Sequence, residues 1–141
     1  MIIYGEQIID YIPQRHPIVM VDEFFGVVNA DSFSALTVRE DCLFTENGRL
    51  NESGILEHIA QSCAMRVGYI CKQENRPIPI GYIGAVKKMK FLLLPAVGEK
   101  LFTSVKVLQE VFNITLVSAE VQSADERLIA SCEMKIFLGE V

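Results

Sequence analysis

No apolar run in this chain of 141 residues approaches the roughly 20 residues that a bilayer-spanning helix requires. The longest candidates are short and interrupted, as at Phe91-Leu92-Leu93-Leu94 before Pro95, so no membrane partner is expected. The opening Met1-Ile2-Ile3-Tyr4-Gly5-Glu6 also lacks the basic region and small-residue cleavage site of a signal peptide, which makes the cytoplasm the expected address. Basic residues are outnumbered: eighteen acids against thirteen Lys and Arg give a net charge of −5. That balance argues against a general nucleic-acid binder, whose phosphate contacts need a basic face. Cys42, Cys63, Cys71 and Cys132 show no CxxC spacing, so buried free thiols are expected and not a zinc site or a thioredoxin-like motif. Histidine is scarcer still. Only His16 and His58 are available for acid–base work near neutral pH. No Gly-rich phosphate loop follows a strand-like segment, and neither cofactor nor metal is implied.

What the chain does contain suits a folded core. Half of its residues are hydrophobic and 22% are charged, a globular balance and not a disordered one. The length fits one domain over residues 1–141, since domains mostly run about 100–150 residues. Gly5 to Tyr11 can form a short helix stopped by Pro13. Ile18 to Val28 reads as a strand, and Phe33 to Val38 as its half-buried partner across the turn 29–32. Residues 39–52 suit a polar loop.

Ser53 to Gln73 is the long helix, with Asn51 or Ser53 as its cap and Glu57 near the positive end of its dipole. Its apolar positions surround most of the axis, so something must enclose it. After Pro77 and Pro79 the chain reads as β, at 81–93, 100–110, 114–122 and 128–138, with short turns favouring antiparallel pairing. The pattern predicts an α+β architecture: a curved antiparallel sheet of about five or six strands wrapped around one long central helix.

Three motifs give this order a likeness. Ile12-Pro13-Gln14-Arg15-His16-Pro17-Ile18-Val19-Met20-Val21-Asp22 resembles the LPHRxPxLLVD opening of the 3-hydroxyacyl-[acyl carrier protein] dehydratases of the FabZ type. Ser53-Gly54-Ile55-Leu56-Glu57-His58-Ile59-Ala60-Gln61 resembles that family's PGVLxxEAxAQ helix start. Gly84 to Phe91, followed by Pro95-Ala96-Val97-Gly98-Glu99, resembles its basic strand and PGD-type turn. The resemblance implies the hotdog fold, a homodimer paired edge to edge, and an acyl carrier protein or acyl-CoA thioester as partner. It also implies elimination of water from a 3-hydroxyacyl thioester in fatty-acid or polyketide-like synthesis. Glu57 and Gln61 match the family's glutamate and glutamine. Its two histidine positions are empty here: Gln14 occupies one, and no histidine occurs in Phe44–Asn51, where the family has its HFPG loop.

Such an elimination needs a base for the C2 proton, an acid for the leaving hydroxyl and donors for the thioester oxygen. A helix N-terminus can supply the donors through free amides, which nominates Gly54 and Ile55, with Gly54 also permitting close approach of a substrate. Glu57 is the leading acid–base candidate; the alternative is a first-turn carboxylate that only offsets the dipole. His58 is either catalytic or a hydrogen-bonded interface residue. His16 either reaches Glu57 across a dimer or is an exposed loop residue. Gln61 is placed at i, i+4 to orient Glu57, or is a plain buried amide. Lys87, Lys88 and Lys90 form a carrier-docking patch or a solvated strand face. Two other functions fit the same residues: a hotdog thioesterase using Glu57 as base for water, and a catalytically silent acyl-binding or partner subunit of an active dehydratase.

Overall fold

The computed structural model describes residues 2–139. Strand β1 (Ile3–Tyr4) and a 3-10 turn at Gly5–Asp10 precede the hairpin of β2 (Glu23–Val28) and β3 (Asp31–Thr37). Two short strands, β4 (Thr45–Glu46) and β5 (Arg49–Leu50), lead into helix α1 (Glu52–Gln73). Strands β6 (Gly81–Phe91), β7 (Lys100–Val111), β8 (Ile114–Ser123) and β9 (Leu128–Leu138) follow it. Seven strands make one antiparallel sheet in the order β1-β2-β3-β7-β8-β9-β6, while β4 and β5 form a separate ribbon. With α1 against its inner face, this is the expected hotdog arrangement.

Alternation decides which face of the sheet is inward. On β7, Leu101, Thr103 and Val105 are buried while Phe102 and Lys106 are exposed; on β8, Val117, Ala119 and Val121 are buried. Leu101, Val105, Val117, Ala119 and Val121 pack in one core with Ile55, Ile59 and Cys63 of α1. A second cluster gathers Ile3, Ile8, Ile12, Val21 and Phe24 of the N-terminal segment around Met65. The remaining stripe of α1, Glu57, Ala60, Ala64 and Val67, follows helical spacing and lines an open cleft. A helix apolar on most sides is thus accounted for: sheet, N-terminal segment and cleft each take one side.

The structure departs from the sequence pattern in three places. The strand expected at 18–28 begins only at Glu23, because Met20 forms its backbone hydrogen bonds with side chains of α1 and not with a neighbouring strand. The polar loop at 39–52 contains the β4–β5 ribbon. The strands after the helix are not a simple meander: β6 lies at the far edge beside β9, and β7 lies beside β3. Residues 92–99 make a crossover and not a hairpin turn. Pro95 accepts the Leu50 N–H at 2.8 Å, and the Gly98 N–H donates to Val38 O at 2.8 Å. Those two bonds carry the chain back past the start of α1 and deliver it to β3.

Candidate active site

The N-terminus of α1 sets the site. Asn51 is the cap: its Oδ1 accepts the Gly54 N–H at 2.9 Å, and its backbone oxygen accepts the Ile55 N–H at 3.1 Å. Both amides expected to be free donors for a substrate oxygen are therefore already bonded, because the cap satisfies them locally. The close approach expected at Gly54 is likewise made by the protein itself. A Cβ there would collide with Leu50 and Phe44, so this glycine lets the preceding ribbon pack onto the helix.

One turn further on, Glu57 stands at the head of the cleft. The space measures about 290 Å³ and is walled by Ala60, Ala64 and Val67 of α1, by Tyr11, Pro13 and Gln14, and by Ile78, Pro79, Gly81 to Ile83, Ile136 and Leu138. It is concave and largely apolar, with few polar groups, as expected of a small-molecule pocket. Glu57 Oε1 accepts from Gln61 Nε2 at 2.8 Å, the i, i+4 geometry expected from the sequence. The Gln61 amide, fully buried, also donates to Ile18 O at 2.7 Å and accepts the Met20 N–H at 2.6 Å. Both N–H donors and the oxygen of this amide are thereby engaged, which fixes its rotamer and holds one carboxylate oxygen of Glu57.

His58 faces away from the cleft. Its Nδ1 lies 2.6 Å from Met20 O and its Nε2 2.7 Å from Thr103 Oγ1. A carbonyl only accepts, so Nδ1 carries the hydrogen and Nε2 accepts from the Thr103 hydroxyl. Burial depresses its pKa from 6.5 to about 4, against a smaller upward pull from the Met20 bond. His58 is a neutral residue of the core, and the structure removes it from the acid–base set. Together with Gln61 it pins the backbone of Met20 to the helix.

The other candidates are dispersed. His16 is exposed, with Nε2 3.3 Å from Glu6 Oε1, and is not among the residues lining the cleft of its own chain. Lys87, Lys88 and Lys90 are exposed on β6, where a bulge interrupts pairing with β9, and Lys88 Nζ lies 3.4 Å from Glu133 Oε2. The lysines begin four residues beyond cleft-lining Ile83, roughly 13 Å along the strand. Cys63, Cys71 and Cys132 are buried and Cys42 partly so. Cys63 touches the cleft, but burial pushes its thiol up to about 12, which leaves it without thiolate character. Among the described residues no group of three or more His, Cys, Asp or Glu could hold a metal ion. Gln14 is the cleft residue the sequence signalled least; its one mark was to stand where the resembled family has histidine.

A carboxylate braced by a buried amide thus lines an apolar cleft under a hotdog sheet. A family model described as ApeP-like, ApeP dehydratase, matches residues 6–140, and the chain belongs to that family. Its fold is similar to a chain of the dehydratase heterocomplex ApeI:P from Xenorhabdus doucetiae, with 15% identity, a TM-score of 0.87, and 94% of this chain and 91% of that one covered. It is also similar to a hypothetical thioesterase with coenzyme A from Streptococcus pneumoniae, at 8% identity, a TM-score of 0.67 and coverage of 82% and 84%. The PaaI protein of the phenylacetic acid degradation operon of E. coli matches at 11% identity, a TM-score of 0.63 and coverage of 81% and 80%. No curated protein sequence matches the chain significantly. No helix among the described residues is long and apolar enough to cross a membrane.

Proposed function

We propose that this chain, as one cytoplasmic domain, eliminates water from a 3-hydroxyacyl thioester carried by acyl carrier protein or coenzyme A, in fatty-acid or polyketide-like synthesis. One observation carries the reading: Glu57 heads an apolar cleft with one oxygen fixed by Gln61, and its Oε2 has no hydrogen-bond partner among the described residues. That free oxygen is the group that exchanges a proton with substrate. The acyl chain lies along the small-residue stripe Ala60, Ala64 and Val67. Elimination moves one proton from C2 to a base and one from an acid to the departing C3 hydroxyl, releasing water and leaving the enoyl thioester.

A second acid–base group comes from a paired chain. The cleft is walled by Gly81–Ile83 on edge strand β6, an eleven-residue strand with Tyr82 and Ile83 exposed, which is an edge suited to pairing with another molecule. Within such a pair, exposed His16 is the residue we assign to meet the neighbouring Glu57. Lys87, Lys88 and Lys90 serve as the docking patch for an acidic carrier. The lack of a histidine in the cleft of one protomer favours a second reading, an acyl-binding subunit that works only beside an active dehydratase.

The test is incubation of the purified chain with 3-hydroxyacyl and saturated acyl pantetheine thioesters. Reversible enoyl formation, lowered about 10²–10⁴-fold by Glu57→Gln, is expected. Free thiol release instead would identify a thioesterase. No turnover alone, but turnover on mixing with a second hotdog chain, would identify the subunit.

A further inference from the structure

We propose that Gln14 is a substrate-binding residue that recognises the 3-hydroxyl of the acyl chain, an inference that rests on the acyl-thioester reading of the cleft. Gln14 lines the same cleft as Glu57, and its Oε1 is buried with no hydrogen-bond partner. A buried amide oxygen without a partner is unfavourable unless a ligand or water completes it. The rest of the cleft wall is dominated by aliphatic, proline and aromatic side chains, so a hydroxyl entering it finds few other acceptors apart from Glu57.

The segment that carries Gln14 is held in place from several sides. A Cβ at position 68 would collide with the Tyr11 carbonyl oxygen, so Gly68 lets the chain at Tyr11 press directly against α1. Lys72 Nζ sits 4.5 Å from the centre of the Tyr11 ring. The Arg15 guanidinium donates to Ile12 O at 2.7 Å and to Gln14 O at 2.8 Å, closing the turn. The backbone beneath Gln14 is thereby fixed, and because its Oε1 has almost no accessible surface, rotation of the side chain is what brings this unpartnered oxygen to a ligand in the cleft.

The geometry assigns the two polar ends of the substrate's reacting unit to different residues. Glu57 exchanges the proton, and the Gln14 amide oxygen accepts a hydrogen bond from the 3-hydroxyl and so selects hydroxylated over saturated chains. The test is a binding measurement on the full chain with two probes of equal length, a 3-hydroxyacyl pantetheine and its saturated acyl counterpart. Wild type should favour the hydroxylated probe. Gln14→Met, which keeps length and removes the acceptor, should weaken that probe about ten-fold while leaving the saturated one unchanged. Gln14→Leu is the second variant, and melting temperatures confirm that each is folded. Equal losses for both probes, or no loss for either, overturn the assignment while leaving the acyl cleft standing. Binding of neither probe by the wild type overturns the acyl-thioester reading and this inference with it.

Discussion

The burial of His58 makes acid stability the sharpest physical test of this structure. The imidazole is fully buried, neutral, and bonded to Met20 O and Thr103 Oγ1. Its pKa falls from 6.5 in the unfolded chain to about 4 in the folded one. Between those values the unfolded state holds the additional proton, so acid pulls the equilibrium toward unfolding. The stability from a neutral His58 is complete above pH 6.5 and is lost as pH falls to about 4. The separation corresponds to roughly 3 kcal/mol, with a limiting slope of about 1.4 kcal/mol per pH unit. That loss is large against the 5–15 kcal/mol or so that holds a typical domain together.

The measurement is urea unfolding at pH 7.5, 6.5, 5.5 and 4.5 for wild type and His58→Gln. The variant starts lower, because its amide cannot reproduce both bonds. What matters is the difference in pH dependence, which cancels contributions from every other titrating group. Wild type should lose roughly 2.5 kcal/mol more than the variant across this interval, which stops short of the folded pKa. Equal slopes would refute the claim that His58 is buried and neutral, and would return it to the set of candidate catalytic residues.

Two further substitutions probe the scaffold beneath Glu57. Gly68→Ala places a methyl against the Tyr11 carbonyl, a backbone atom that cannot rotate aside, and should cost about 2 kcal/mol. Thermal unfolding should then show a fall of roughly 6–8 °C, and an unchanged midpoint would disprove the close approach. Gln61→Leu strands the Met20 N–H and Ile18 carbonyl and releases Glu57, at a cost of roughly 2–4 kcal/mol. In an enoyl-forming assay its kcat should fall more than its KM rises; the reverse pattern would show that Gln61 holds the cleft open and does not orient the carboxylate.

Features governed by neighbours in the chain were legible without coordinates. The span of α1 follows from the Asn51 cap and a long apolar stretch, and the observed Glu52–Gln73 starts one residue before the expected Ser53. The inward faces of β7 and β8 follow from strict alternation. The Glu57–Gln61 contact needs only helical spacing. The crossover at 92–99 was not legible, because strand order depends on which distant backbone completes each hydrogen bond, and Pro95 and Gly98 find theirs at Leu50 and Val38. Ile18 and Met20 look like strand yet are held by a side chain about forty positions away.

Local order thus determined helix, strands, cap and the pairing of a carboxylate with its amide, since each involves residues within a few positions of one another. Tertiary packing decided the rest. It buried His58 between two distant partners, left His16 outside, occupied the amides of Gly54 and Ile55, and brought Gln14 to the cleft. A side chain's chemistry depends on what surrounds it in space, and for these residues most of those surroundings come from other parts of the chain.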